Sequence, residues 1–165
     1  GKMLGIIGLG TIGKQLVNLT RGFDLTYLAH DINVDEEFAG RNNVKYCELD
    51  ELLVQSDILS IHLNLTRDTK NLINFDAFRK IKPGAVLINT SRGEVVNEEN
   101  LIEALDRKFI SAAGLDVFQD EPYTGSLLEY DNVVTTPHIG AYAQEIRERM
   151  ELEAAHNLIK GLEDD

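Results

Sequence analysis

The chain is nearly without cysteine, has no long apolar run and is short of positive charge. Its single cysteine, Cys47, cannot close an internal disulfide, and no Cys/His spacing suits zinc. No metal is therefore expected, and a reducing compartment, the cytoplasm, is the expected location. No stretch reaches the roughly 20 apolar residues of a membrane span. The apolar start from Met3 to Ile12 is broken by Gly5, Gly8 and Gly10 and lacks the uninterrupted apolar region and cleavage site of a secretory signal. Basic residues number 16 against 28 acidic ones, a formal net charge of -12. The imbalance is concentrated late in the chain, where residues 83–165 carry 6 basic and 17 acidic groups. Such a surface repels nucleic acid and anionic membranes alike. Internal repeats, low-complexity tracts and linkers are also missing.

What is present suits one packed domain over residues 1–165, with 43% hydrophobic and 27% charged residues. Short apolar runs at Met3–Gly8, Leu25–His30, Val44–Cys47, Asp57–Leu63, Ala85–Asn89, Ser111–Val117 and Val133–Thr136 read as seven strands. Between them, apolar residues recur three or four apart at Ile12–Leu19, Leu49–Gln55, Phe75–Ile81 and Asn97–Lys108, as helices require. Lys82-Pro83-Gly84 stops one helix, and Asn97 starts another. Ala141 to about Leu162 reads as one long final helix. Alternating strands and helices demand a parallel sheet, since parallel neighbours need long crossovers. The expected fold is α/β: a doubly wound, Rossmann-type parallel sheet with helices on both faces. Met3–Gly8 and Ala85–Asn89, apolar almost throughout, are expected to be covered on both sides.

Gly8-Leu9-Gly10-Thr11-Ile12-Gly13 follows the first strand and opens the first helix, the context a dinucleotide fingerprint needs. Gly8 allows a tight turn, Gly10 lets a pyrophosphate approach the backbone, and Gly13 permits close helix-to-strand packing. The helix N-terminus offers free N–H groups and positive potential. Asp31, at the end of the second strand, can accept hydrogen bonds from both hydroxyls of an adenosine ribose and would repel a 2′-phosphate. No basic residue follows it until Arg41, so NAD is expected rather than NADP. Asp31-Ile32-Asn33 is also turn-like chemistry, which leaves open a capping role for Asp31.

Ligands of open α/β sheets bind beyond the carboxyl ends of the strands. Arg92, Glu121 and His138 follow the fifth, sixth and seventh strands and can converge on one cleft. Singly, each has a plainer explanation: a solvated charge, a turn residue before Pro122, the start of the last helix. Together they supply a cation for a carboxylate, a carboxylate and a proton carrier, which is a complete set for reducing a 2-oxo acid.

The motifs at Gly8–Gly13, Asn89-Thr90-Ser91-Arg92-Gly93, Leu115-Asp116-Val117-Phe118-x-x-Glu121-Pro122 and Thr136-Pro137-His138-Ile139-Gly140 resemble the D-isomer-specific 2-hydroxyacid dehydrogenase family, in order and over nearly the whole chain. The resemblance implies that Arg92 binds the substrate carboxylate and 2-oxo oxygen, that His138 is the acid/base and that Glu121 pairs with it. A guanidinium can hold a carboxylate bidentately, and a nearby carboxylate favours the charged form of an imidazole. It further implies that Thr11 and Ile12 lie along the pyrophosphate, that Thr69 and the backbone of Thr90, Ser91 and Arg92 line the cofactor, and that Asp116 meets the nicotinamide amide. The chain departs from the family pattern at Asn64, where many relatives have proline, and at Ala141-Tyr142-Ala143, where small hydroxyl residues are common. Family members are about twice as long and carry a second lobe, so this chain is expected to be the NAD-binding part of a larger homodimeric enzyme, inactive or weakly active alone. Relatives of this fold also serve as NAD-responsive corepressors, an alternative that the intact trio weighs against. His62 is expected to be structural, and nothing marks His30 or His156 as a ligand.

Overall fold

A computed structural model describes residues 1–163. Seven parallel strands, β1 (Lys2–Ile7), β2 (Leu25–His30), β3 (Val44–Tyr46), β4 (Ile58–Ile61), β5 (Ala85–Asn89), β6 (Ile110–Leu115) and β7 (Val133–Thr135), form one sheet in the order β3-β2-β1-β4-β5-β6-β7. The helices are α1 (Thr11–Thr20), α2 (Glu36–Asn42), α3 (Leu49–Gln55), α4 (Phe75–Lys80), α5 (Glu98–Asp106) and α6 (Gln144–Glu163). The expected doubly wound fold is present, with element ends mostly within two residues of those read from the sequence. The order reverses between β1 and β4, which is where such sheets open a crevice for a ligand.

Side chains alternate between the two faces of each strand, and the core divides accordingly. Leu4, Ile6, Tyr27 and Ala29 pack with Val17 of α1 and Ala39 of α2 on one face. Ile7, Leu28, Leu59, Ile61 and Leu87 pack with Leu52, Phe78 and Leu101 of α3, α4 and α5 on the other. Each fully buried side chain of this kind contributes roughly 1.5–3 kcal/mol of transfer free energy.

Two expectations need correction. β5 is not covered on both sides: Ala85, Leu87 and Asn89 are buried, while Val86 and Ile88 are only half-buried. α1 and α2 lie over β1, β2 and β3, and the segment from β6 to β7 packs Leu127 with α3, α4 and α5, so among the described residues this half of the first face carries no helix. Val134 of β7 is accordingly 69% exposed. The last helix begins at Gln144 rather than Ala141, and every residue from Gln144 to Leu162 is exposed.

α2 was not singled out in the sequence because its apolar pair, Phe38 and Ala39, is too short to show a period. Its ends are nevertheless well marked. The Asp35 side chain accepts from the Phe38 N–H, and Asn43 closes the helix in the left-handed region at φ 54°. At the amino ends of the strands, the Asp57 carboxylate accepts from the Met3 N–H at 2.8 Å and from Lys82 Nζ at 2.8 Å, joining β1 to the turn before β5. No helix among the described residues is long and apolar enough to cross a membrane.

Candidate active site

The glycine loop is shaped by steric necessity at two positions and by nothing in the protein at the third. Gly8 has φ +97° and a Cβ there would lie 2.7 Å from the His62 carbonyl oxygen; one on Gly13 would lie 2.5 Å from the Gly8 oxygen. A Cβ on Gly10 would meet no atom within 4 Å. Gly10 is also the N-cap of α1, and no side chain caps that end, so first-turn amides remain free for an anion. Thr11 and Ile12 are exposed along the same edge, with Ile12 at 65%. Open space before Gly10 and uncapped amides behind it fit a pyrophosphate.

Asp31 is half-buried at the end of β2. Its Oδ1 accepts the Asn33 N–H at 2.8 Å, so the turn-forming role is real and leaves Oδ2 for a ribose. Lys14 of α1, not singled out in the sequence, also reaches this corner and pairs with Asp35. Thr69 is committed within its own loop: its hydroxyl donates to the Asn64 carbonyl at 2.7 Å and accepts the Thr66 N–H at 2.7 Å. His62 donates or accepts at Ser60 Oγ, 2.9 Å away, and its burial lowers its pKa, as suits a structural histidine.

Beyond β5, buried Asn89 organises the loop that carries Arg92. Its Oδ1 accepts from the Ser91 N–H at 3.0 Å and the Ser91 hydroxyl at 2.8 Å, and its Nδ2 donates to the Arg92 carbonyl at 2.9 Å. The buried Ser91 side chain is therefore used internally, whereas Thr90 is exposed. Gly93 then passes against the loop after β6, where a Cβ would lie 2.0 Å from the Phe118 carbonyl carbon. Sequence reasoning missed Asn89 and Gly93 as site-builders, although Asn-x-Ser at a strand end is a local hydrogen-bonding signal.

His138 and Glu121 meet as anticipated, with Nδ1 to Oε2 at 2.8 Å. Glu121 Oε1 accepts the Phe118 N–H at 3.1 Å, fixing the carboxylate from its own loop. The hydrogen bond to His138 is the main cause holding the Glu121 carboxyl below its usual range. His138 itself sits at φ +54°, a conformation that needs support from its surroundings. Asp116 supplies it: its Oδ1 accepts from Thr136 Oγ1 at 2.5 Å and the Ile139 N–H at 2.9 Å, and its Oδ2 accepts the Gly140 N–H at 3.0 Å. Burial opposes ionisation of Asp116, but these three hydrogen bonds outweigh it and its pKa is lowered. Asp116 is thus engaged with the chain on both sides of His138.

Arg92, Glu121 and His138 line one cavity of about 240 Å³ with Glu94 and Gln119. A second cavity of about 620 Å³ also touches Glu121 and His138, against the stacked Phe118 and Tyr123 rings. The histidine is half exposed, so its free ring nitrogen is open to a ligand. Among the described residues no group of three or more His, Cys, Asp or Glu side chains could hold a metal ion.

Fold and site together define a dinucleotide-binding α/β domain with a histidine–carboxylate pair beyond its strand ends. Residues 1–140 match the family described as D-isomer specific 2-hydroxyacid dehydrogenase, NAD binding domain, and the chain belongs to it. It is 45% identical over 164 residues to glyoxylate/hydroxypyruvate reductase B of Enterobacter agglomerans, covering 98% of this chain and 51% of that protein. It is 44% identical over 165 residues to a glyoxylate reductase of Thermofilum pendens, covering 96% and 48%. The crystal structure of a D-lactate dehydrogenase from Aquifex aeolicus, complexed with NAD and lactic acid, superposes with a TM-score of 0.90 at 33% identity, covering 99% of this chain and 54% of that one. The chain spans about half the length of the curated relatives it matches.

Proposed function

We propose that this chain is the cofactor half of an enzyme interconverting a D-2-hydroxy acid and its 2-oxo acid, with glyoxylate and hydroxypyruvate as the first substrates to test. The Glu121–His138 pair at 2.8 Å, in one cavity with Arg92, carries the reading. The Gly8–Gly13 loop, the α1 amides and Asp31 would hold NAD(H), which supplies the hydride for the 2-oxo carbon. Arg92 holds the substrate carboxylate with its forked N–H groups, orienting the carbonyl. The free nitrogen of His138 gives its proton to the carbonyl oxygen during reduction and takes it back during oxidation. Glu121 acts through His138, fixing the ring and favouring its charged form. Asp116 positions the His138 loop, a role its hydrogen bonds support better than contact with a nicotinamide amide.

The relatives are about twice as long, which supports a cleft completed by a second lobe and weak turnover by this domain alone. Cytoplasmic residence and a homodimer belong to the same proposal. Calorimetric titration with NADH tests the cofactor site, and Asp31→Ala is expected to weaken binding. In the protein that also contains the second lobe, His138→Asn should lower kcat with hydroxypyruvate by about 10²–10⁴-fold while NADH binding persists. Undiminished turnover would overturn the assignment of His138.

A further inference from the structure

At the carboxyl end of β2, a lysine from α1 pairs with the carboxylate that caps α2, and a second carboxylate, Asp31, acts on it through charge. Lys14 is the residue after Gly13, Asp31 follows β2, and Asp35 caps α2. Lys14 Nζ lies 2.5 Å from Asp35 Oδ2 and 5.5 Å from the Phe38 ring centroid. Asp35 is fixed from three directions, because Oδ1 accepts the Phe38 N–H at 2.9 Å and its own N–H donates to the Tyr46 hydroxyl at 3.1 Å. The hydrogen bond to Asp35 is the main cause raising the Lys14 pKa, and the Asp31 charge acts on the same ammonium. The sequence suggested that no cation is available near Asp31, since none follows before Arg41. The fold instead brings one from the preceding helix, already paired.

We propose that Asp35 is a second specificity-determining residue for the cofactor: by engaging Lys14, it keeps that ammonium from serving a 2′-phosphate. Rejection of NADP then depends on Asp31 repelling the phosphate and on Asp35 occupying the cation that could neutralise it. The inference rests on the proposed ribose role of Asp31. Charge alone is at issue in the critical substitution, because asparagine caps a helix about as well as aspartate.

The test is calorimetric titration of the full chain with NADH and with 2′,5′-ADP, a probe carrying the 2′-phosphate without the nicotinamide. Natural protein, Asp31→Asn, Asp35→Asn, the double variant and the double variant with Lys14→Gln are compared. The double variant is expected to bind 2′,5′-ADP about tenfold more tightly than Asp31→Asn alone, one charge-assisted contact. That gain should vanish with Lys14→Gln and shrink at high salt. Equal affinities for Asp31→Asn and the double variant, or a gain that survives Lys14→Gln, would overturn the proposal. Should Asp35→Asn disturb folding, as a melting curve would show, Asp35→Ser retains a cap and gives the same comparison. NADH binding by the natural protein without a Lys14-dependent gain defeats only this inference, whereas no NADH binding defeats the cofactor site itself.

Discussion

A Cβ placed on Gly10 meets no atom within 4 Å, whereas one on Gly93 lies 2.0 Å from the Phe118 carbonyl carbon. Gly10→Ala should therefore fold with only the small loss of stability expected for alanine at an N-cap, and bind NADH at least about tenfold more weakly, since the methyl would occupy space read as the pyrophosphate's. Gly93→Ala should instead lose roughly 1–3 kcal/mol of stability, as overpacking does, and separate the Arg92 loop from the Glu121 loop. Chemical denaturation with NADH titration checks both, and a stable Gly93→Ala protein would show that the two loops can yield. Asp57 sets a pH dependence. Hydrogen bonds from Lys82 first, then Met3, lower its carboxyl from the usual 3.8 to about 2. A depressed native pKa means the unfolded chain binds the proton more readily, so the contribution is complete above about pH 5 and is lost as pH falls toward 2. Asp57→Asn should be less stable than the natural protein at neutral pH, with the gap closing in acid. A gap independent of pH would sink that account.

Among the elements, long or strongly patterned segments were legible and short ones were not. β2, β5 and α3 have the ends the sequence suggests, because period and flanking residues agree there. α2 escaped notice because seven residues with one apolar pair carry no period, and only the Asp35 and Asn43 end signals mark it. The short 3-10 turns at Gly93–Val95 and Ser126–Glu129 likewise follow from tertiary packing, through buried Val95 and Leu127. α4 has six residues and survives by burying Phe78 completely, so Phe78→Ala should cost about 3–5 kcal/mol in a urea melt. A loss below about 1 kcal/mol would mean that the neighbouring helices collapse into the space.

Across the whole molecule, stability resides in the sheet and in α1 to α5. Residues 144–162 of α6 are all exposed, and the helix is laced by pairs such as Arg149 with Glu153 at 2.8 Å. Such i,i+4 pairs add only about 0.2–0.5 kcal/mol each, and the packing of an apolar face, which supplies most helix stability in proteins, is missing among residues 144–162. Removing residues 144–165 should therefore shift the melting temperature by no more than about 2 °C. A larger fall would show that α6 packs on the body in solution.

The sequence by itself determined the doubly wound sheet, the glycine loop and the placement of Arg92, Glu121 and His138 after the fifth, sixth and seventh strands, because each is written locally as a period, a spacing or a residue after a strand. Only the tertiary structure decided three matters. Gly93 packs against Phe118, which sets Arg92 beside a pair fixed 29 residues further along the chain at Glu121. Asp116 turned out to be bound to the backbone around His138. Lys14 proved to pair with Asp35, beyond β2, despite lying in an earlier helix. Such contacts join residues distant in the chain, and no local periodicity or spacing records which distant side chain will fill a hydrogen bond or neutralise a charge.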